Sequence, residues 1–182
     1  TLKSGIFEGI NLESVNLTKA DLQNVNFDGA KLKNANFKEA NFAGAVHLSR
    51  TNCTEANFEG AQFGSSSCLD QANFFKANFR NAHFKYAKFM GSNFFMTDFS
   101  GADLQSANLE GTNFQQARLA GVILGSANLK NADLSYSNLK NAFLLDANLE
   151  GTNLHKVKHL TKEQLHSAKN WQKAKDIPEE LL

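Results

Sequence analysis

Five histidines, two cysteines and eighteen carboxylates are the groups through which this chain could do chemistry. His155 and His159 stand four apart, but they straddle the end of a repeating region, and no third metal ligand accompanies them. His47 and His83 fall at outward positions of that repeat and read as solvated wall residues. His166 lies beyond it. Asp98 and Asp103 also belong to the repeat wall, where a carboxylate most simply bonds nearby backbone. No G-x-S-x-G, phosphate-binding loop, dinucleotide fingerprint or H-E-x-x-H occurs, and no candidate base has a nucleophile beside it. The expectation is a non-enzymatic protein without a metal or cofactor.

Composition narrows the classes further. Lys and Arg number 19 and Asp and Glu 18, a net charge of +1, which disfavours a nucleic-acid binder relying on a basic field. No apolar run approaches the roughly 18–20 residues of a membrane span, so membrane insertion is not expected. No basic, apolar, small-residue series at the start reads as a signal peptide. The first residue is Thr1, from which an upstream targeting peptide or tag is expected to have been removed. Sixteen Phe beside one Trp and two Tyr point to a repeated template.

That template has a period of five. Its large central residues run from Phe7 to Phe42, resume at Leu48 after one extra residue near 45, and resume again at Leu69 after another near 66. From there the register holds to Leu154. Of thirty pentapeptides, only Cys53 departs from Leu or Phe at the centre. Two residues earlier stands a small or β-branched side chain, usually Ala, and Asn or Asp stands between. A helix cannot carry this pattern, because residues five apart differ by about 140° around its axis. The small and large residues instead share one side of a short extended segment, and the other two residues make a turn.

Four such sides close a coil of twenty residues, so thirty repeats make about 7.5 coils. Phe74, Phe79, Phe84, Phe89, Phe94, Phe99, Leu104 and Leu109 form the expected core ladder. The expected domains are a repeat region over 1–158 and a C-terminal α-helical cap over 159–182. Thr161-Lys162-Glu163-Gln164 has capping-box form. Leu165, Ala168, Trp171 and Ala174 follow at helical spacing, and Leu165, Trp171, Ile177 and Leu181 are expected to cover the last coil. The other reading of this segment is a dimer-forming or partner-binding helix.

The series Ala102-Asp103-Leu104, Ala107-Asn108-Leu109 and Ala147-Asn148-Leu149 resembles the pentapeptide-repeat family over approximately residues 5–156. The resemblance implies an all-β solenoid, a right-handed quadrilateral parallel β-helix, and implies no active site. Some members present an acidic rod to DNA gyrase and protect it from inhibitors. Mimicry of DNA needs dense negative charge, whereas residues 1–156 carry 14 basic and 14 acidic groups. Members of unassigned role are abundant in cyanobacteria and plant chloroplasts, some in the thylakoid lumen. Thylakoid lumen, periplasm and cytoplasm all stay open for this chain.

Two surface features remain. Cys53 is expected to point inward and Cys68 outward, which disfavours a disulfide, although the extra residue near 66 could turn Cys68 inward and leaves a Cys53–Cys68 bridge as an alternative. One outward column contains Ile123 and Phe143 with Leu145 beside it, and another contains Phe75 and Phe95 flanked by Met96. Clustered exposed apolar groups often mark an interaction surface, so a protein partner is expected there. A homodimer through a rod end or an apolar column is the related alternative.

Overall fold

The backbone donors of one repeat show why this sequence coils. In Asp103–Ala107, Asp103 N–H donates to Ala82 O of the preceding coil (2.9 Å), and Leu104 N–H donates to Ile123 O of the next (2.8 Å). Ser106 N–H also reaches the next coil, at Gly125 O (2.9 Å), and Ala107 N–H closes the turn onto Leu104 O (3.0 Å). The fifth donor, Gln105 N–H, has no backbone acceptor and bonds Asp103 Oδ1 instead (3.1 Å). All five donors are therefore satisfied. The Asn or Asp of each repeat serves the one donor that the turn leaves over.

The same arrangement recurs throughout the computed structural model, which describes residues 2–182. The second turn residue takes φ between +50° and +70° in every repeat turn of ordinary length. Most of these residues are not glycine, and a left-handed L-residue costs about 1 kcal/mol. The N–H that this conformation aims into the ladder offsets that cost.

Parallel bridges join residues twenty apart and define four faces. Face A runs through Asn108, Asn128 and Asn148, and face B through Asn73, Asn93 and Asn113. Face C runs through Asn78, Asp98, Arg118, Asn138 and Lys158, and face D through His83, Asp103, Ile123 and Phe143. From Asn26↔His47 to Gln62↔His83 the spacing is twenty-one, because each of two successive coils carries one extra residue at the corner between faces D and A. At that widened corner the bridges lengthen into two-residue strands, β1 (Asn41–Phe42) and β2 (Gln62–Phe63). Elsewhere only the middle residue of each side bridges both neighbours.

The interior is a column of rings. The expected ladder from Phe74 to Leu109 is fully buried. Rings one coil apart stack, Phe74 on Phe94 at 5.3 Å and Phe94 on Phe114 at 4.8 Å, while rings on adjacent faces meet edge-on, Phe94 against Phe99 at 82°. Such pairs add about 0.5–1.5 kcal/mol beyond area burial. At the other end, Leu2, Phe7, Leu12 and Leu17 are only partly buried against the core.

Beyond Lys158 the chain forms α1 (Lys162–Ser167) across the end of face D. Thr161 caps it, and its side chain accepts from Gln164 N–H. The Gln164 side chain accepts from Thr161 N–H and donates to Leu139 O (3.1 Å) and Ala142 O (2.7 Å). The Ala142 carbonyl is the one that a further rung on face D would have paired. The helix is shorter than its apolar spacing suggests: Ala168 is extended and Asn170 left-handed. The reason is that Lys169 and Lys175 return to the ladder on faces A and B. Trp171 and Ala174 therefore lie in and just after a single 3₁₀ turn, Trp171–Lys173, outside α1. Leu165 and Leu181 are buried, and Trp171 and Ile177 pack half-buried against the core.

Candidate interaction surface

Face D departs from the wall motif where it nears α1. Asp103 keeps the Asn/Asp acceptor, but Ile123 and Phe143 replace it in the next two coils. Gly125 and Leu145 N–H thus lose the side-chain acceptor that Gln105 has. Lys31, His47 and Lys88 depart likewise, but they put polar groups into water. Ile123 and Phe143 put apolar surface there instead, 37% and 62% exposed, and Leu145 beside them is 65% exposed. Local rules broken at a stability cost are expected at functional positions.

A recess of about 940 Å³ opens beside this column because α1 does not fill the place of another rung. Ala142, Phe143, Leu144, Leu145 and Leu160 make its apolar wall, and Lys140, His159, Glu163 and Gln164 line its polar side. The Glu163 carboxyl sits below the usual range because its own backbone N–H and the Thr161 hydroxyl bond the charged form. The recess offers apolar surface that could bury an apolar group and polar groups at its edge that could orient one, the usual division of labour in a binding site.

Phe75, Phe95 and Met96 do not join this surface. They occupy a turn at the corner between faces B and C rather than a wall column. Phe75 and Phe95 are half-buried and stack on each other at 5.7 Å, with Lys76 Nζ 5.0 Å from the Phe75 centroid. Only Met96 of the three is exposed. The six apolar residues singled out by sequence therefore divide into two separate sets.

The cysteines are free thiols, so the disulfide alternative is corrected. Cys68 does occupy the outward rung, bridging His47 and Lys88 on face A, and the extra residue is absorbed in the preceding turn without rotating it. Burial pushes the Cys53 thiol up to about 12, a Thr51 hydrogen bond drawing it back only slightly. Asp133 on face B is partly buried, which raises its pKa. Hydrogen bonds from the Gln115 side chain, Ser135 and Asn153 outweigh this and hold it below the usual carboxylate range. Among the described residues no group of three His, Cys, Asp or Glu could hold a metal ion. Among the described residues no helix is long and apolar enough to cross a membrane.

A four-sided parallel solenoid with a small residue, Asn or Asp, and Leu or Phe on every side defines a class of repeat protein. The family model for pentapeptide repeats matches this chain in eight copies, over residues 1–34, 10–46, 32–67, 65–94, 97–135 and 127–158. The chain belongs to the pentapeptide-repeat family, and the right-handed quadrilateral β-helix is that family's fold. Among solved structures it is similar to QnrB1, a plasmid-mediated fluoroquinolone resistance protein, at 20% identity and a TM-score of 0.61, covering 94% of this chain and 85% of that one. It is also similar to HetL of the cyanobacterium Nostoc sp. strain PCC 7120, involved in heterocyst differentiation regulation, at 24% identity and a TM-score of 0.47 over 92% and 88% of the chains. A pentapeptide repeat protein of the Arabidopsis thaliana thylakoid lumen is 32% identical over 54% of this chain and 65% of its own, with a TM-score of 0.48. No curated protein matches the sequence.

Proposed function

We propose that the chain is a non-enzymatic, rigid protein-interaction rod of about 7.5 coils over residues 1–158, closed by residues 159–182. Its partner is a protein that docks on the end of face D. The observation that carries this reading is the replacement of the wall Asn or Asp by Ile123 and Phe143, beside exposed Leu145 and an open apolar recess. The wall gives up two local hydrogen-bond acceptors there and gains only surface that water disfavours unless something covers it. Phe143→Asp should keep the melting temperature of the parent, because the side chain stands outside the core, and should abolish partner capture in a pull-down from source cells. If self-association and capture both stay unchanged, the reading is wrong. Loss of self-association alone would identify the partner as a second copy.

A second reading, a DNA mimic acting on gyrase, draws on the fold shared with QnrB1. The balanced charge of residues 1–156 speaks against it. A supercoiling assay with added protein tests it, and protection of gyrase from an inhibitor would favour it over the first.

A further inference from the structure

Overall neutrality conceals a segregation of charge along face C. From Asn78 to Lys158, this face and its two corners carry Lys76, Arg80, Arg118, Lys140, Lys156 and Lys158. A single carboxylate, Asp98, lies among them, shared between Arg80 (3.8 Å) and Arg118 (3.7 Å). Lys76, Lys140 and Lys158 are exposed and have no ion pair among the described residues. One coil separates residues twenty apart, so these six cations spread over five rungs, whose four spacings span roughly 19 Å. In the first half of the same face Lys19 pairs with Glu39 and Lys38 with Glu59, so the unbalanced stretch begins at Lys76. It ends where Asp176, Glu179 and Glu180 line a recess together with Lys156.

The basic stretch turns a corner into the apolar recess. Lys140 follows the face C centre Leu139 and lines the recess with Phe143 and Leu145. An occupant of both surfaces needs negative charge and an aliphatic or aromatic side chain a few ångströms away. A nucleic-acid strand offers phosphates for the cations and flat bases for stacking, but no branched aliphatic group to fill a recess walled by Ala142, Leu144, Leu145 and Leu160. An acidic protein segment with Leu or Phe among its carboxylates meets both needs. The chain's own end has this composition: Asp176, Glu179 and Glu180 surround Ile177 and Leu181, and Leu181 is buried against the rod.

We infer that face C from Lys76 to Lys158, together with the recess at its corner with face D, docks an acidic-apolar protein segment. This rests on the interaction-rod reading above and names the chemistry of its partner. The test uses fluorescence anisotropy with a labelled synthetic peptide carrying Glu-Glu-Leu-Leu twice. The full chain should bind it, and affinity should fall about tenfold between roughly 50 and 300 mM salt, because the contact is largely between exposed charges. The double variant K140E/K158E, which leaves the core and ladder untouched, should lower affinity at least about tenfold at low salt. Replacing the peptide's Leu by Ser should weaken binding comparably, and so should F143D. Absence of binding by the parent chain overturns the inference. So does equal binding by K140E/K158E, but loss on F143D alone would then leave the interaction-rod reading standing. Insensitivity to both variants removes both readings. Tighter binding of single-stranded DNA of the same length, also lost in K140E/K158E, would assign the face to nucleic acid and refute the inference.

Discussion

Three glycines separate what the widened corner demands from what any turn demands. A Cβ on Gly64 would overlap the backbone N and O of Gly44, one coil below, and stand 3.0 Å from its Cα. No side-chain rotation relieves this, because the obstacle is backbone. The two coils must part by about 1 Å, which strains the Gly64 N–H to Phe42 O bond (3.2 Å) and the packing of Phe42 on Phe63, now 4.5 Å apart. One weakened ladder bond at about 1 kcal/mol and displaced packing at about 1–3 kcal/mol give a cost of about 2–4 kcal/mol for Gly64→Ala. Gly29→Ala meets nothing within 4 Å but must hold a φ of +68°, which costs about 1 kcal/mol. Gly125 has no left-handed φ and its nearest neighbour would be Leu145 O at 3.8 Å, so Gly125→Ala should be neutral or stabilising by up to about 0.5 kcal/mol. Urea titrations of the three variants read these as midpoint shifts at constant slope. Because each coil contacts only its neighbours, hydrogen exchange should show the Gly64→Ala damage confined to the coils around β1 and β2. A Gly64→Ala variant no less stable than Gly29→Ala would refute the stacking of the two enlarged corners.

Thiol titration of the native protein near about pH 8 should modify Cys68 and spare Cys53, with both reacting in denaturant. Two reactive thiols in the native state would place Cys53 outside the core. Burial raises the Cys53 pKa, so folding favours its neutral form, and that stability is lost as pH rises above the unfolded thiol value of about 8.5. Asp133 runs the other way, its folded pKa depressed by hydrogen bonds. Its contribution is complete above the unfolded value of about 3.9 and disappears as pH falls below it. Asp133→Asn keeps the acceptor for Ser135 N–H but loses the charge facing Gln115, so it should cost up to about 1 kcal/mol near neutrality. Urea midpoints of parent and variant should converge in acid, and a gap that persists there would assign the loss to packing.

The fold was legible because its rule is one-dimensional. A period of five with Leu or Phe at every centre but Cys53 leaves only one way to bury the large residue, and Phe74 through Leu109 are buried accordingly. The end of the rod was less legible. The spacing of Leu165, Ala168 and Trp171 suits a helix, yet α1 stops at Ser167, since the ladder bonds at Lys169 and Lys175 compete with helical ones and prevail. Local periodicity carries no information about which backbone groups of Ala147 and Thr152 are still waiting for partners. Phe75 and Phe95, expected on an outward column, were within reach of the register. Each directly follows a centre, Phe74 or Phe94, and stands two positions after the wall Asn, so it belongs to the turn that the left-handed φ of Lys76 and Met96 completes.

Net charge was the least informative number. A sum of nearly zero reads as a rod with no preference for charged partners, and it does weigh against a mimic of DNA. Coiling changes its meaning, because every twentieth residue joins a column and a chain-wide balance need not hold on any face. The pairs Lys19–Glu39 and Lys38–Glu59 cancel on the first half of face C, but Lys76, Lys140 and Lys158 find no such partner on the second. The same columns are what give Ile123 and Phe143 their weight in the proposed docking surface. Each alone would be an ordinary surface residue. Stacked one rung apart, beside Leu145 and a recess that α1 leaves open, they become a continuous apolar surface bounded by lysine. In a solenoid the functional unit is the column, and it can be read from sequence only after the coil length and both extra residues have been placed.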